Sequence, residues 1–149
     1  FFGENVPQMK DVIDLAVDQD DLYLLHSDGH LTLCTYSNLS VSPTHCESPV
    51  PFRDSRLGRE NRILIPETPV TQIFASQPPD PSLYFMEPGH QAIYHLSLRS
   101  LTFHQQFRPS RNFYSNSGEA LPASAFAISP DGREVFLAFG NQVYYSPIP

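Results

Sequence analysis

The sequence predicts an all-β protein made of about three four-stranded antiparallel sheets. Three observations predict this fold class. The same pattern of short apolar strands and polar turns occurs three times along the chain. The composition, with 15 prolines and only 17% charged residues among 149, suits short strands joined by many loops. No stretch of ten or more residues carries apolar side chains at helical spacing without an intervening glycine or proline.

Each repeated unit contains an apolar strand, a polar turn, a denser apolar strand, a tight turn and a third strand. The turn at 129–132, Ser-Pro-Asp-Gly, is typical of a type I turn followed by a bulge. A fourth, outer strand is expected at 42–47 in the first unit and at 101–107 in the second, and none in the third. The predicted units are 11–47, 70–107 and 123–149, and the predicted loops between them are 48–69 and 108–122.

The middle strands are apolar throughout, over residues 22–25, 83–86 and 135–139. A strand with one face in water should alternate between apolar and polar residues, so these strands need cover on both faces. The short turns nevertheless require antiparallel pairing. A stack of small antiparallel sheets, each covered by two neighbours, meets both demands, and this architecture is a β-propeller. A β-sandwich with unusually apolar strands is the alternative.

The aromatic residue at the second position of each of these apolar runs is expected to lie in one common core between the sheets. These residues are Tyr23, Tyr84 and Phe136.

Parts of the chain resemble known propeller repeats. Residues 18–36, and more closely SLYFMEPGHQAIYHL at 82–96, resemble repeats of the NHL class of six-bladed propellers. AISPDGREVF at 127–136 is similar to the opening of TolB-like and WD-type blades. The resemblance implies that the chain is part of a six- or seven-bladed ring. It implies no activity, because propellers serve both as enzymes and as scaffolds.

Charge is distributed unevenly along the chain. The net charge is −7, and residues 1–50 hold eight acids against Lys10 alone. Nucleic acids and anionic membranes need cationic groups to neutralise phosphates, so neither is expected as a partner. No apolar run approaches the length of a membrane-spanning helix, so no membrane span is expected.

The two cysteines suggest a disulfide. If 31–36 and 42–47 form a hairpin, Cys34 and Cys46 face one another at a separation that a disulfide bridges. Two reduced, buried thiols are the alternative. A zinc site is not expected, because His26 and His30 span a turn and not a helix face. No metal or other cofactor is therefore predicted, and the aspartates at 18, 20, 21 and 28 are interpreted as solvated turn caps.

Half of the arginines recur at a spacing of three within ten residues, at Arg53, Arg56, Arg59 and Arg62. Arginines in this arrangement can bind a carboxylate or phosphate bidentately, so the segment is the predicted partner-binding site. Its flanking prolines and Gly58 favour an irregular loop over a helix. A solvated loop that binds nothing is the alternative.

The predicted function is a non-catalytic binding or scaffold module that presents loops to a protein or peptide. The alternative is a propeller-type hydrolase, lactonase-like or glycosidase-like, with its site in the central channel. The first strands would line that channel, and only Asp14 among their starting residues titrates. No catalytic residue is predicted. The starting residues are Val12, Asp14, Val70, Gln72, Ser124 and Phe126.

Three blades cannot close a ring, because propellers need at least four. The outer apolar faces of the first and last units should therefore require cover. The expected partner is either the remainder of the same propeller, preceding Phe1, or a second copy of the chain.

Overall fold

The structure is a computed structural model that describes residues 6–39, 42–50, 52–54, 57–58, 62–63, 69–77, 81–109 and 122–148. Within these ranges the chain forms three sheets and no helix, which confirms the all-β class. All strand pairs are antiparallel except one short parallel pair in the second sheet. The described residues form no closed ring.

The strands follow the predicted units closely. The first sheet contains β1 (Val12–Asp18), β2 (Asp21–His26), β3 (Leu31–Leu39) and β4 (Ser42–Glu47), in that spatial order. The second contains β5 (Arg53–Asp54), β6 (Arg62–Ile63), β7 (Gln72–Ala75), β8 (Ser82–Glu87), β9 (Ala92–Ser97) and β10 (Thr102–Phe107), in the order β6-β5-β10-β9-β8-β7. The third contains β11 (Ala123–Ile128), β12 (Glu134–Phe139) and β13 (Gln142–Pro147).

The segment 48–69, which sequence patterning predicts as a loop, adds two short strands to the second sheet. β5 runs parallel to β10 and pairs with β6 on its other side. The amide of Arg53 donates to the carbonyl of Leu101 at 2.9 Å, and the neighbouring Phe52 is buried. A two-residue strand is too short to show an alternating pattern, so sequence periodicity does not detect it.

The middle strands of the second and third sheets differ in burial according to the sheets that cover them. All six residues of β8 are buried, because the second sheet lies between the other two. β12 instead alternates, with Val135, Leu137 and Phe139 buried toward the second sheet and the residues between them less covered. Two-sided cover therefore explains the continuous apolar pattern of β8.

The prediction of one common core is wrong, because the two faces of the second sheet bury two separate clusters. Tyr23 belongs to the cluster between the first and second sheets and is 1% exposed. Tyr84 belongs to the cluster between the second and third sheets and is 3% exposed. Phe136 is only partly buried and belongs to neither. All three rings point toward the following sheet, and no described sheet follows the third.

The first strands of the three sheets are neighbours. β1 lies beside β7, and β7 lies beside β11. The sheets therefore meet along one shared inner edge, which places the starting residues of these strands next to one another.

Candidate functional site

The inner edge is held by side chains that bind the backbone of the next sheet. Asp14 on β1 accepts a hydrogen bond from the amide of Ile73 on β7 at 2.9 Å. Gln72 on β7 accepts from the amide of Phe126 on β11 at 3.0 Å and donates to the carbonyl of Phe126 at 3.3 Å. The same kind of contact thus links the first sheet to the second and the second to the third.

These two linking residues occupy the same register position. Asp14 pairs with Leu25 and Gln72 pairs with Met86, and both partners are the fifth residue of a middle strand. The third sheet has Ala125 at this position, opposite Ala138. An alanine has no polar side-chain group, so the third sheet has no equivalent contact to offer to a further sheet.

Asp14 is the one titratable residue predicted near the channel. Each of its two carboxylate oxygens accepts a hydrogen bond from a backbone amide. The oxygen that does not bind Ile73 accepts from the amide of Leu15 at 2.9 Å. A carboxylate held in this way connects strands, and its oxygens are occupied.

The predicted arginine site is described only in part. Arg53 is exposed on β5, at the outer side of the second sheet. The backbone of Arg62, on β6, pairs with that of Asp54, on β5. Arg56 and Arg59 lie outside the described residues, as does the side chain of Arg62. The structure therefore places Arg53 beside β10 and the Arg62 backbone one strand further out, on the other side of β5.

The two cysteines pair across the β3–β4 ladder. Cys34 lies opposite Cys46 in register, with 4.1 Å between their Cα atoms, and the two Sγ atoms are bonded at 2.11 Å. Sulfur atoms bonded to one another are not thiolate ligands. Among the described side chains, no group of three or more His, Cys, Asp or Glu is arranged to hold a metal ion.

A cavity of about 680 Å³ lies at the end of the first sheet, near the turn between β2 and β3. Its buried wall is His26, whose Nε2 lies 2.9 Å from Oγ1 of Thr32 and whose Nδ1 lies 3.3 Å from the carbonyl oxygen of Lys10. The hydroxyl of Thr32 donates in turn to Ser48 at 2.8 Å. This chain of hydrogen bonds fixes the His26 ring.

A second histidine stacks on the first. The rings of His26 and His30 are 4.0 Å apart and nearly parallel. Nδ1 of His30 lies 2.5 Å from Asp28, which also accepts from the amide of His30 at 3.2 Å. These hydrogen bonds from His30 lower the pKa of Asp28. Asp28 is thus an exposed residue that caps its turn, as its sequence position suggests.

Asp18 departs from the prediction that the clustered aspartates are solvated. It is 8% exposed, and its Oδ1 has no hydrogen-bond partner within the described structure. Burial, followed by repulsion from Asp21, raises the pKa of Asp18. Burial also raises the pKa of Tyr23, with Asp21 and Asp18 adding to the effect. In the sequence, Asp18 looks like the three other aspartates of this group. Its burial sets it apart, and that burial depends on the neighbouring sheet, which the sequence does not reveal.

Sequence reasoning missed the His26–Thr32–Ser48 chain and the linking role of Gln72. A polar residue at one position of successive first strands is the signal that marks Asp14 and Gln72. No local signal marks the histidine stack, because it forms only once the β2–β3 turn brings the two rings together.

No protein-family model matches the chain, and no curated protein matches it significantly. The class that the fold defines is an all-β protein of stacked, mainly antiparallel sheets. Within the described ranges, no helix is long and apolar enough to cross a membrane.

Proposed function

We propose that this chain is a propeller-type binding module, without a catalytic role, that presents surface segments to a protein or peptide partner. The observation that carries the propeller-type assignment is the repeated contact between successive sheets. Asp14 and Gln72 bind the next first strand from the same register position. Repetition of one contact relates each sheet to the next by a similar step, as in an array of blades.

The cover on the middle sheet supports the same assignment. β8 is buried on both faces, and its neighbours pack as whole sheets against it. A two-sheet sandwich would leave one face of every strand in contact with water or loops. Three sheets stacked face to face, with their first strands adjacent, fit consecutive blades better.

The contacts of Asp14 favour binding over catalysis. The alternative, a lactonase-like or glycosidase-like hydrolase, needs acids, bases or metal ligands free at the inner edge. Asp14 accepts hydrogen bonds from two backbone amides, and the neighbouring Gln72 does not titrate. The inner edge in this part of the chain is therefore suited to holding sheets together.

The arginine segment is the proposed partner-binding surface. It begins on β5, which pairs with β10, and ends on β6, which pairs with the other side of β5. Arg53 is exposed on β5. The recurrence of Arg56, Arg59 and Arg62 at a spacing of three supplies guanidinium groups that match carboxylates in a peptide. The proposed partner is an acidic peptide segment of a protein.

The open outer faces of the first and third sheets are proposed to bind further propeller sheets. These sheets would belong either to the remainder of the same propeller or to a second copy of the chain.

Charge reversal tests the arginine surface. The probe is a fluorescein-labelled octaglutamate peptide, whose binding is followed by fluorescence anisotropy. We expect Arg56→Glu combined with Arg59→Glu to weaken binding by at least about tenfold, because two attractive contacts become repulsive. The melting temperature should change little.

Arg133→Glu is the matched control, since its side chain is 83% exposed and lies in the turn between β11 and β12. It should bind the probe as the unaltered chain does. The proposed surface is rejected if the unaltered chain does not bind octaglutamate, or if the double variant binds it equally well.

A further inference from the structure

The third sheet differs from the other two at its outer edge. The first sheet has β4 and the second has β10 beside their third strands. In the third sheet the third strand, β13, is itself the outer strand among the described residues. Within the described part of the chain, such an outer strand leaves backbone hydrogen-bonding groups without a strand partner.

The direction of these groups follows from one hydrogen bond. The amide of Ile148 donates to the carbonyl of Arg133, on the β12 side, at 2.7 Å. Hydrogen-bonding groups alternate between the two sides of an antiparallel strand. The amides and carbonyls of Val143 and Tyr145 therefore point away from β12, toward the side on which no described strand lies, while Pro147 has no amide proton.

A mainly apolar cavity of about 520 Å³ opens beside this edge, between the second and third sheets. Its wall on the third sheet includes Leu137, Phe139 and Tyr144, and its wall on the second sheet includes Phe107 and Arg108.

The interface between the first and second sheets shows which kind of side chain fills the corresponding space there. Phe103 of β10, the fourth strand of the second sheet, is 1% exposed in the core against the first sheet. Its ring lies 5.8 Å from that of Tyr94, the third residue of β9. Tyr144 is likewise the third residue of β13 and packs against the core between the second and third sheets. A fourth strand on β13 would thus place an aromatic ring against Tyr144, where the cavity lies.

We propose that β13 binds an extended peptide as the fourth, antiparallel strand of the third sheet, with one aromatic side chain inserted in the cavity beside Tyr144. The backbone edge supplies the hydrogen bonds, and the cavity selects the aromatic residue. Exposed Arg108 at the cavity wall favours a carboxylate near this anchor. This proposal specifies a second surface of the binding module. It uses no residue of the arginine segment, so either surface can fail without the other.

The chain supplies its own probe. A labelled peptide with the sequence of residues 100–107, SLTFHQQF, carries the phenylalanine that already packs on Tyr94. The control peptide has alanine in place of that phenylalanine. Binding to the complete 149-residue chain is measured by fluorescence anisotropy.

Two variants at position 143 distinguish the contribution of the backbone amide to peptide binding from that of the side chain. Val143→Ala keeps the outward amide, and Val143→Pro removes it. We expect the phenylalanine peptide to bind the unaltered chain and Val143→Ala alike, and Val143→Pro at least about tenfold more weakly. The alanine peptide should bind the unaltered chain at least about tenfold more weakly as well.

A modified peptide keeps the test valid if Val143→Pro does not fold. N-methylation of the peptide at the amides that face β13 should abolish binding, whereas N-methylation at the alternate amides should preserve it. The proposal is overturned if the unaltered chain does not bind the phenylalanine peptide, if the alanine peptide binds equally, or if neither backbone change weakens binding. It is also overturned if Val143→Pro, but not Val143→Ala, converts a dimer to a monomer, because the edge would then bind a second copy.

Discussion

Replacement of Tyr84 by alanine should lower the free energy of unfolding by about 3–5 kcal/mol. The ring is 3% exposed in the core between the second and third sheets and stacks on His95 with 4.6 Å between ring centroids. Alanine would remove this packing and leave a cavity between two sheets that cannot readily close over it. Urea denaturation followed by circular dichroism measures the loss.

Phe136→Ala is the matched control for Tyr84→Ala. Phe136 occupies the same position in β12 that Tyr84 occupies in β8, but no described sheet covers it. Its truncation should cost only about 1 kcal/mol. Equal losses from the two variants would contradict the assignment of Tyr84 to a closed core and of Phe136 to an open face.

Removal of the disulfide should cause the next largest loss of stability. Cys34 and Cys46 are 12 residues apart in sequence, and cross-linking over such a distance restricts the unfolded chain. The combined variant Cys34→Ala and Cys46→Ala should therefore be less stable by about 3 kcal/mol.

Reduction provides the control for the double cysteine variant. Dithiothreitol should destabilise the unaltered chain by a similar amount and leave the variant unchanged. Free thiols in the unaltered chain, detected by Ellman's reagent after unfolding without reductant, would show that the bond is not formed.

The strands themselves were predictable from sequence because their signals are local. Alternation, apolar runs and turn residues occur within about ten residues, and they place β1, β8 and β12 close to where the structure has them. The opposition of Cys34 and Cys46 follows from the same local reasoning, since a hairpin register depends on the turn between its strands.

The contacts between sheets were not predictable in the same way. Asp14 binds the backbone of a residue 59 positions away, and only the stacking of sheets brings the two together. The burial of Asp18 depends in the same way on the second sheet, which contributes Pro81 and Leu98 to the wall of its small cavity. For the same reason, sequence placed Tyr23 and Tyr84 in one core, because identical positions in repeated strands do not reveal which interface each ring enters.

The stacking leaves one apolar face at each end of the described structure. On β1, Ile13, Leu15 and Val17 are each about half exposed, at 48%, 56% and 52%. On β13, Val143 and Tyr145 are 69% and 72% exposed. Large apolar side chains concentrated on two outer faces favour association, because burying them removes apolar area from water.

The central claim is that the sheets pack face to face like consecutive propeller blades, which leaves these two outer faces to be covered. Sedimentation velocity of the 149-residue chain at micromolar concentration tests this claim most directly. The account predicts association into species larger than the 16.8 kDa monomer. Exchange of Leu15 and Val17 for glutamate should reduce this association. A compact, stable and monodisperse 16.8 kDa species would contradict the account.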